Sequence, residues 1–322
     1  MRRAGRVKQA FTLNGCGIMS ENNGDKGLIR QTLGQIRAVT YTVPDLGTVE
    51  AAYVEFLGYK VLARGNVPHA QARAWGAPGV EGRSVLTLGP ASGENVFLRF
   101  IECPEAEGWR AFDTFGWNAT EFVVQNVDVL AQQLAASPFT IIGAPKGLNR
   151  FPMIRAMQVL GPAGECCYFT EIGSGSGLSL ADARSFVGRV FIVVVAGPDA
   201  DVLYRPYALF SNRQEAPVAT PVQVISRMHR LPPETLHRHG LVRLPEGTLI
   251  ELDQYPSSAA YRSVRSGLLP AGMAIVTFEV QSVRGVEFTG GEAPSDLPGL
   301  RGRSWCLQGA VGELIELFTC GI

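Results

Sequence analysis

Two glutamates stand at matching places in two near-identical segments. Glu251 ends Gly247-Thr248-Leu249-Ile250-Glu251, and Glu316 ends Gly312-Glu313-Leu314-Ile315-Glu316. Carboxylates brought together in a hollow can do two kinds of work. They can hold magnesium or manganese weakly, with water in the remaining positions. They can also share a proton, the charge on one raising the pKa of the other, so that one acts as a general base. Glu279, with Thr277 two residues before it, is a third candidate on an alternating segment. His237 and His239 are spaced i, i+2, so a strand would turn both to one face. With Glu251 they could form a two-histidine, one-carboxylate iron set. Their neighbours Pro232, Pro233, Arg238 and Gly240 predict a surface loop instead. His69, after Pro68, is expected in an exposed loop.

Arg99 is a lone charge in the apolar stretch Phe97–Ile101. It could pair with Glu121 or clamp a ligand carboxylate, and internal pairing is the expectation. Trp75, Trp109, Phe112, Phe115 and Trp117 crowd the N-terminal half, where core packing is the first expectation and a mouth for a flat apolar ligand the second. The six cysteines form no CxxC pair, so reduced, mostly buried thiols are expected. Cys166 and Cys167 are adjacent and would lie on opposite faces of a strand. Neither a phosphate-binding glycine loop nor a GxSxG elbow is present.

The elements that must position these residues recur four times. Segments beginning at Gly93, Gly164, Gly247 and Gly312 end in closely similar strands, at intervals of roughly 65 to 83 residues, the mark of one unit used repeatedly. Each unit also opens alike. Val39–Asp45 alternates and then enters an apolar-periodic stretch, Val49–Leu57, closed by Gly58, which reads as strand, turn and helix. Thr120–Asp128 leads into Val129–Ala136, and Val190–Val195 leads through Gly197-Pro198-Asp199 into Ala200–Phe210. The fourth copy, Ile275–Val280, has only a stunted helix after Ser282. Room for two more strands, Lys60–Ala63 and Arg83–Leu88 in the first copy, makes each unit βαβββ. Gly173–Gly177 is a linker by composition.

The segment Val43–Val61 (VPDL…FLGYKV) and the four strand endings resemble the vicinal oxygen chelate superfamily, which includes glyoxalase I, bleomycin-resistance proteins and extradiol dioxygenases. The resemblance implies an α+β fold in which four βαβββ units pair into two cupped mixed β-sheet domains. The implied division is a flexible tail at 1–33, a first domain at 34–172, a linker at 173–186 and a second domain at 187–322. The native start is expected at Met19.

Strand alternation then sorts the faces. Ala38, Thr40 and Thr42, then Ala119, Glu121 and Val123, then Ile275, Thr277 and Glu279 should line the cups, with Phe97, Arg99, Tyr168, Thr170, Glu251, Asp253, Glu316 and Phe318 from the closing strands. Metal-dependent relatives are implied to carry histidine, glutamine or glutamate at the start of the opening strand and glutamate on the closing strand. Here the opening places hold Ala38, Ala119, Ile275 and Phe191 or Ile192, none a donor. The expectation is no cofactor, with a weak divalent site at Glu251 and Glu316 as the alternative. Catalytic residues are expected at Glu251, Glu316 and Glu279. Ligand contacts are expected at Thr40, Thr42, Arg99, Glu121, Tyr168 and Thr277.

The expected function is proton transfer of isomerase or lyase type on a carbonyl-containing or aromatic metabolite. The alternatives are a sequestering protein similar to the bleomycin-resistance branch and an iron-dependent ring-cleaving dioxygenase using His237 and His239. The chain has 322 residues, 46% of them hydrophobic and 18% charged, which fits a globular cytoplasmic protein. Lysine plus arginine equals aspartate plus glutamate at 29 each, which argues against nucleic acid and anionic membranes and leaves a homodimer open. No apolar run is long enough to span a bilayer.

Overall fold

A computed structural model describes residues 33–148, 151–174, 179–208 and 216–321. Unit one runs β1 (Ile36–Val43), α1 (Leu46–Leu57), β2 (Lys60–Asn66), α2 (His69–Ala74), β3 (Ser84–Gly89) and β4 (Phe97–Glu102). Unit two runs β5 (Gly116–Val124), α3 (Val127–Leu134), β6 (Thr140–Gly147), β7 (Ile154–Leu160) and β8 (Cys166–Ile172). Unit three runs β9 (Val187–Gly197), α4 (Ala200–Ala208), β10 (Val218–Pro221), α5 (Gln223–Met228), β11 (Leu236–Arg243) and β12 (Leu249–Gln254). Unit four has β13 (Gly272–Glu279), β14 (Ala293–Pro294), β15 (Gly302–Gln308) and β16 (Leu314–Cys320), with no α-helix among its described residues. The expected end of the third helix at Phe210, nearly all of the expected tail, Met19 and Cys16 lie outside the described residues. Leu33, counted with that tail, is buried.

Local signals explain the opening turn. Asp45 accepts a hydrogen bond from the Gly47 amide and caps α1, and Gly58 ends it in the left-handed conformation that glycine tolerates best.

The strands form two curled, mixed, eight-stranded sheets. One runs β14-β15-β16-β13-β1-β4-β3-β2, and the other β10-β11-β12-β9-β5-β8-β7-β6. Units one and four therefore make one cup, and units two and three the other. This corrects the expectation that each half of the chain closes its own cup. Opening strands pair antiparallel across units, β1 with β13 and β5 with β9. Periodicity records which face of a strand is apolar, but not which other unit takes its edge.

Consecutive units instead pack through their apolar faces, and one core joins both sheets. Tyr41 Oη meets Thr120 Oγ1 at 2.9 Å, and Tyr59 Oη donates to the Gly188 carbonyl at 2.8 Å. Two matching latches hold the halves. Tyr53 of α1 donates to Glu165 Oε1 at 3.0 Å, and Tyr207 of α4 donates to Glu313 Oε1 at 2.9 Å. Both glutamates also accept from a turn amide, Ala163 or Val311. The turn glycines make room for these carboxylates, since a Cβ on Gly161 or Gly309 would lie 2.0 Å from the glutamate oxygen and displace it. Burial pushes Glu165 up to about 7 and raises Glu313 as well. Tyr53→Phe or Tyr207→Phe should each cost about 1–3 kcal/mol, by leaving a buried acceptor without its donor. Denaturant midpoints check this, and wild-type values in both variants would remove the latch.

No described helix is long and apolar enough to cross a membrane.

Candidate functional site

Sheet register sets equivalent levels in the two cups. Thr40 lies beside Arg99 and Thr277 beside Glu316 in the first, as Glu121 lies beside Tyr168 and Val194 beside Glu251 in the second. The unit-one counterpart of Glu251 and Glu316 is thus Arg99 rather than Phe97. A guanidinium stands where other units have a carboxylate or a phenol.

That exchange closes the first cup. Arg99 Nη2 donates to Glu316 Oε2 at 2.9 Å, its Nε donates to Thr40 Oγ1 at 2.9 Å, and its Nη1 donates to Asp296. Thr277 Oγ1 donates to Glu316 Oε2 at 2.6 Å. Helix α2 adds Gln71 Nε2 at 2.6 Å, and the following Trp75 adds Nε1 at 2.9 Å, both to Glu316 Oε1. Thr40, Gln71, Arg99, Thr277 and Glu316 are all buried, and the Arg99 guanidinium stacks on the Trp75 ring. Burial opposes charge on Arg99 and Glu316. Yet Asp296 and Glu316 raise the arginine's pKa, and Arg99 lowers that of Glu316. Leu297 and Leu300, flanking Asp296, cover Ala38 and Phe97 at one end. The expected pairing of Arg99 with Glu121 is corrected, because the two lie in different sheets. Thr42, the other expected contact here, donates to the Pro270 carbonyl at 2.8 Å.

The second cup keeps its carboxylates. Glu251 and Glu316 also lie in different sheets, so the expected pair does not form. Glu279 joins neither, because Arg37 Nε donates to it at 2.8 Å at the end of β13. Glu251 has other company. His239, on β11 directly across from Asp253, brings Nδ1 to 3.4 Å from Glu251 Oε1 and 3.3 Å from Asp253 Oδ1. Asp253 is fully buried, and among the described residues neither its Oδ2 nor the buried Tyr255 Oη has a hydrogen-bond partner. His239 and Glu251 side chains are 20% and 15% exposed, so this cluster can be reached from solvent. Glu121 and Tyr168 are buried beside it, with Thr170 Oγ1 donating to Glu121 Oε1. Leu180, Ala181 and Ala183 of the linker pack on Val123, Phe191, Ile192 and Leu249, sealing the end away from His239.

Burial, then the charge of Glu251, pushes Glu121 up to about 8. The same two causes, opposed by His239, place Asp253 at about 6. Burial opposes charge on His239, but Glu251 and Asp253 outweigh it and push His239 up to about 11. At neutral pH the ring is an imidazolium held through Nδ1 by two carboxylates. Nε2 is the nitrogen left for a ligand.

The expected loop at His237 and His239 is a strand, and the histidines do not converge. His237 Nε2 meets Ser226 Oγ of α5 at 2.9 Å. His69 starts α2, exposed, with Nδ1 at 2.8 Å from Glu81. Asp253 and His239 were the members least visible in the sequence. The signals were i, i+2 spacing from Glu251 for one, and an i, i+2 histidine pair for the other.

The sequence resemblance implies ligand places in the second cup on β5, β8, β9 and β12. Ala119, Ile192 and Tyr168 offer no carboxylate or imidazole, and Glu251 is the single strong donor. Among the described residues His239, Glu251 and Asp253 bring donor atoms within 4.8 Å of one another. Both carboxylates address the same ring nitrogen at hydrogen-bond range, which is the arrangement for a held proton.

No family model matches the sequence, and no curated protein matches it. Solved structures do. Glyoxalase I from Zea mays superposes with a TM-score of 0.55 at 13% identity, over 88% of this chain and 92% of that one. A variant of the same maize enzyme gives 0.57 at 15% identity with the same coverage. A Bacillus subtilis protein assigned as a dioxygenase gives 0.55 at 13% identity, over 91% of this chain and 87% of that one. At these identities the likeness establishes the fold alone, the tandem arrangement of βαβββ units that glyoxalase I and the Bacillus subtilis protein share with this chain.

Proposed function

We propose that the protein is a small-molecule enzyme that moves a proton on a carbonyl-containing metabolite, and that its working site is the second cup. One observation carries this reading: a reachable carboxylate, Glu251, and an anchored imidazolium, His239, share one wall, whereas the first cup is filled by its own side chains. Glu251 takes a proton from the carbon next to the carbonyl. His239 gives its Nε2 proton to the carbonyl oxygen, so the product of the step is an enol and the enzyme's total proton count is unchanged. Returning a proton to carbon at a new position completes an isomerisation. Asp253 is a positioning residue that fixes the ring through Nδ1. Tyr168 and Glu121, the latter a neutral acid near pH 7, line the site as hydrogen-bond donors to substrate oxygens.

The test follows the proton. Wild-type protein in deuterated water, offered a panel of α-hydroxy and α-keto carbonyl compounds, should exchange the carbon-bound proton of its substrate class. Glu251→Gln should lower that rate by about 10²–10⁴-fold while keeping ligand affinity. Unchanged exchange in Glu251→Gln would remove the residue from the chemistry. Elemental analysis is the companion measurement, and a stoichiometric transition metal bound at His239 would replace the proton relay with a metal centre.

A further inference from the structure

We propose that the protein also binds a flat organic carboxylate, of the aromatic-acid type, in a cavity outside both cups. The cavity encloses about 430 Å³ between the start of β5 and the turn joining β15 to β16, a size that suits a small organic ligand. Phe115 and Tyr261 supply aromatic wall, and Arg262 supplies charge. Phe115 and Tyr261 stand edge to face at 5.1 Å, and the exposed Tyr261 and Val264 form an apolar rim.

Arg262 is the unusual member. Its Nε donates to Thr114 Oγ1 at 3.0 Å. Nη1 donates to the carbonyls of Ala271 at 3.1 Å and Met273 at 2.7 Å, and Nη2 donates to that of Trp117 at 2.6 Å. All four acceptors are neutral, and no carboxylate among the described residues pairs with it. Among the described residues these bonds use four of the guanidinium's five N–H donors, leaving one Nη2 hydrogen. The acid nearest in the wall, Glu313, is turned to Tyr207 and the Val311 amide. A largely desolvated cation without a counter-ion, facing a cavity, is a place for an anion. The Trp109 ring covers the guanidinium at 5.2 Å, so an anion has the cavity side to itself.

Internal symmetry sharpens the point. Gly164 and Gly312 occupy matching turns of units two and four. A Cβ on Gly164 would meet the Trp109 carbonyl at 2.8 Å, so the first turn is covered by main chain. A Cβ on Gly312 would meet nothing nearer than Gln308 Nε2 at 3.7 Å. Of two equivalent places, one is filled and the other is open and lined by arginine and aromatics.

Calorimetric titration with benzoate, and with its neutral analogue benzamide, tests this on the full chain. Benzoate should bind at least about tenfold tighter than benzamide. Arg262→Gln should erase that preference. Should that variant not fold, Ala310→Trp, on the exposed side of the turn, blocks the cavity with Arg262 intact and should weaken benzoate by about tenfold or more. Glu251→Gln should leave benzoate binding unchanged, which separates this site from the second cup. Equal affinity for the two compounds, no benzoate binding at millimolar concentration, undiminished binding to Ala310→Trp, or loss in Glu251→Gln would each overturn the proposal.

Discussion

Arg99→Ala should destabilise the protein by about 3–5 kcal/mol, because it strands a buried carboxylate without its cation. Glu316 is 1% exposed and receives four donors, of which the guanidinium alone is charged. Thr277, Gln71 and Trp75 would remain but cannot neutralise it. Removing both charges is a different experiment. Arg99→Met with Glu316→Leu should recover most of the loss, since buried ion pairs replaced by packed apolar groups are often nearly neutral. Asp296, partly exposed at 20%, can then be hydrated. Urea midpoints read both effects. An alanine variant as stable as wild type, or a double variant as unstable as the single, would sink the account. The double variant should also keep the carbon-proton exchange activity, because no residue of the second cup is touched.

The second cup should make stability fall as pH rises. Glu121 has its pKa pushed from the usual 4.5 to about 8, so the folded chain holds this proton more tightly than the unfolded chain. Its contribution is complete below about pH 4.5 and is lost as pH climbs through about 8. The full shift corresponds to an upper bound of about 5 kcal/mol, and a few kcal/mol is the expected size. Groups facing Glu121 set the rest. Glu251 opposes its ionisation, and Thr170 favours it through a hydrogen bond. Asp253, at about 6, and Glu165, at about 7, slope the same way. His239, raised from the usual 6.5 to about 11, slopes the same way from about pH 6.5 up to about 11. Glu121→Gln should match wild type near pH 5 and exceed it near pH 9, giving a flatter curve of denaturant midpoint against pH. A variant curve parallel to the wild-type one would mean that Glu121 does not carry this proton.

Much of the design is legible in the strand period. Alternation puts Thr40, Arg99, Thr277 and Glu316 on one cup wall, and their mutual hydrogen bonds confirm the faces. It likewise puts Glu121 and Thr170 together. Internal pairing of Arg99 was expected from a lone charge on an apolar strand, but its partner was not. The partner lies 217 positions away on β16, brought there because β1 pairs with β13. His239 was expected in a loop for a related reason. Prolines and glycine around it signal a loop, but pairing with β10 and β12 keeps 236–243 extended.

The sequence by itself determined the repeated unit, the face each strand residue takes and the places where carboxylates occur. These follow from side-chain period and turn chemistry, which act over a few residues. Only the tertiary structure decided that units one and four close around an ion pair while units two and three surround Glu251, His239 and Asp253. That choice rests on edge pairing and core packing between segments far apart in the chain, and no local pattern encodes it.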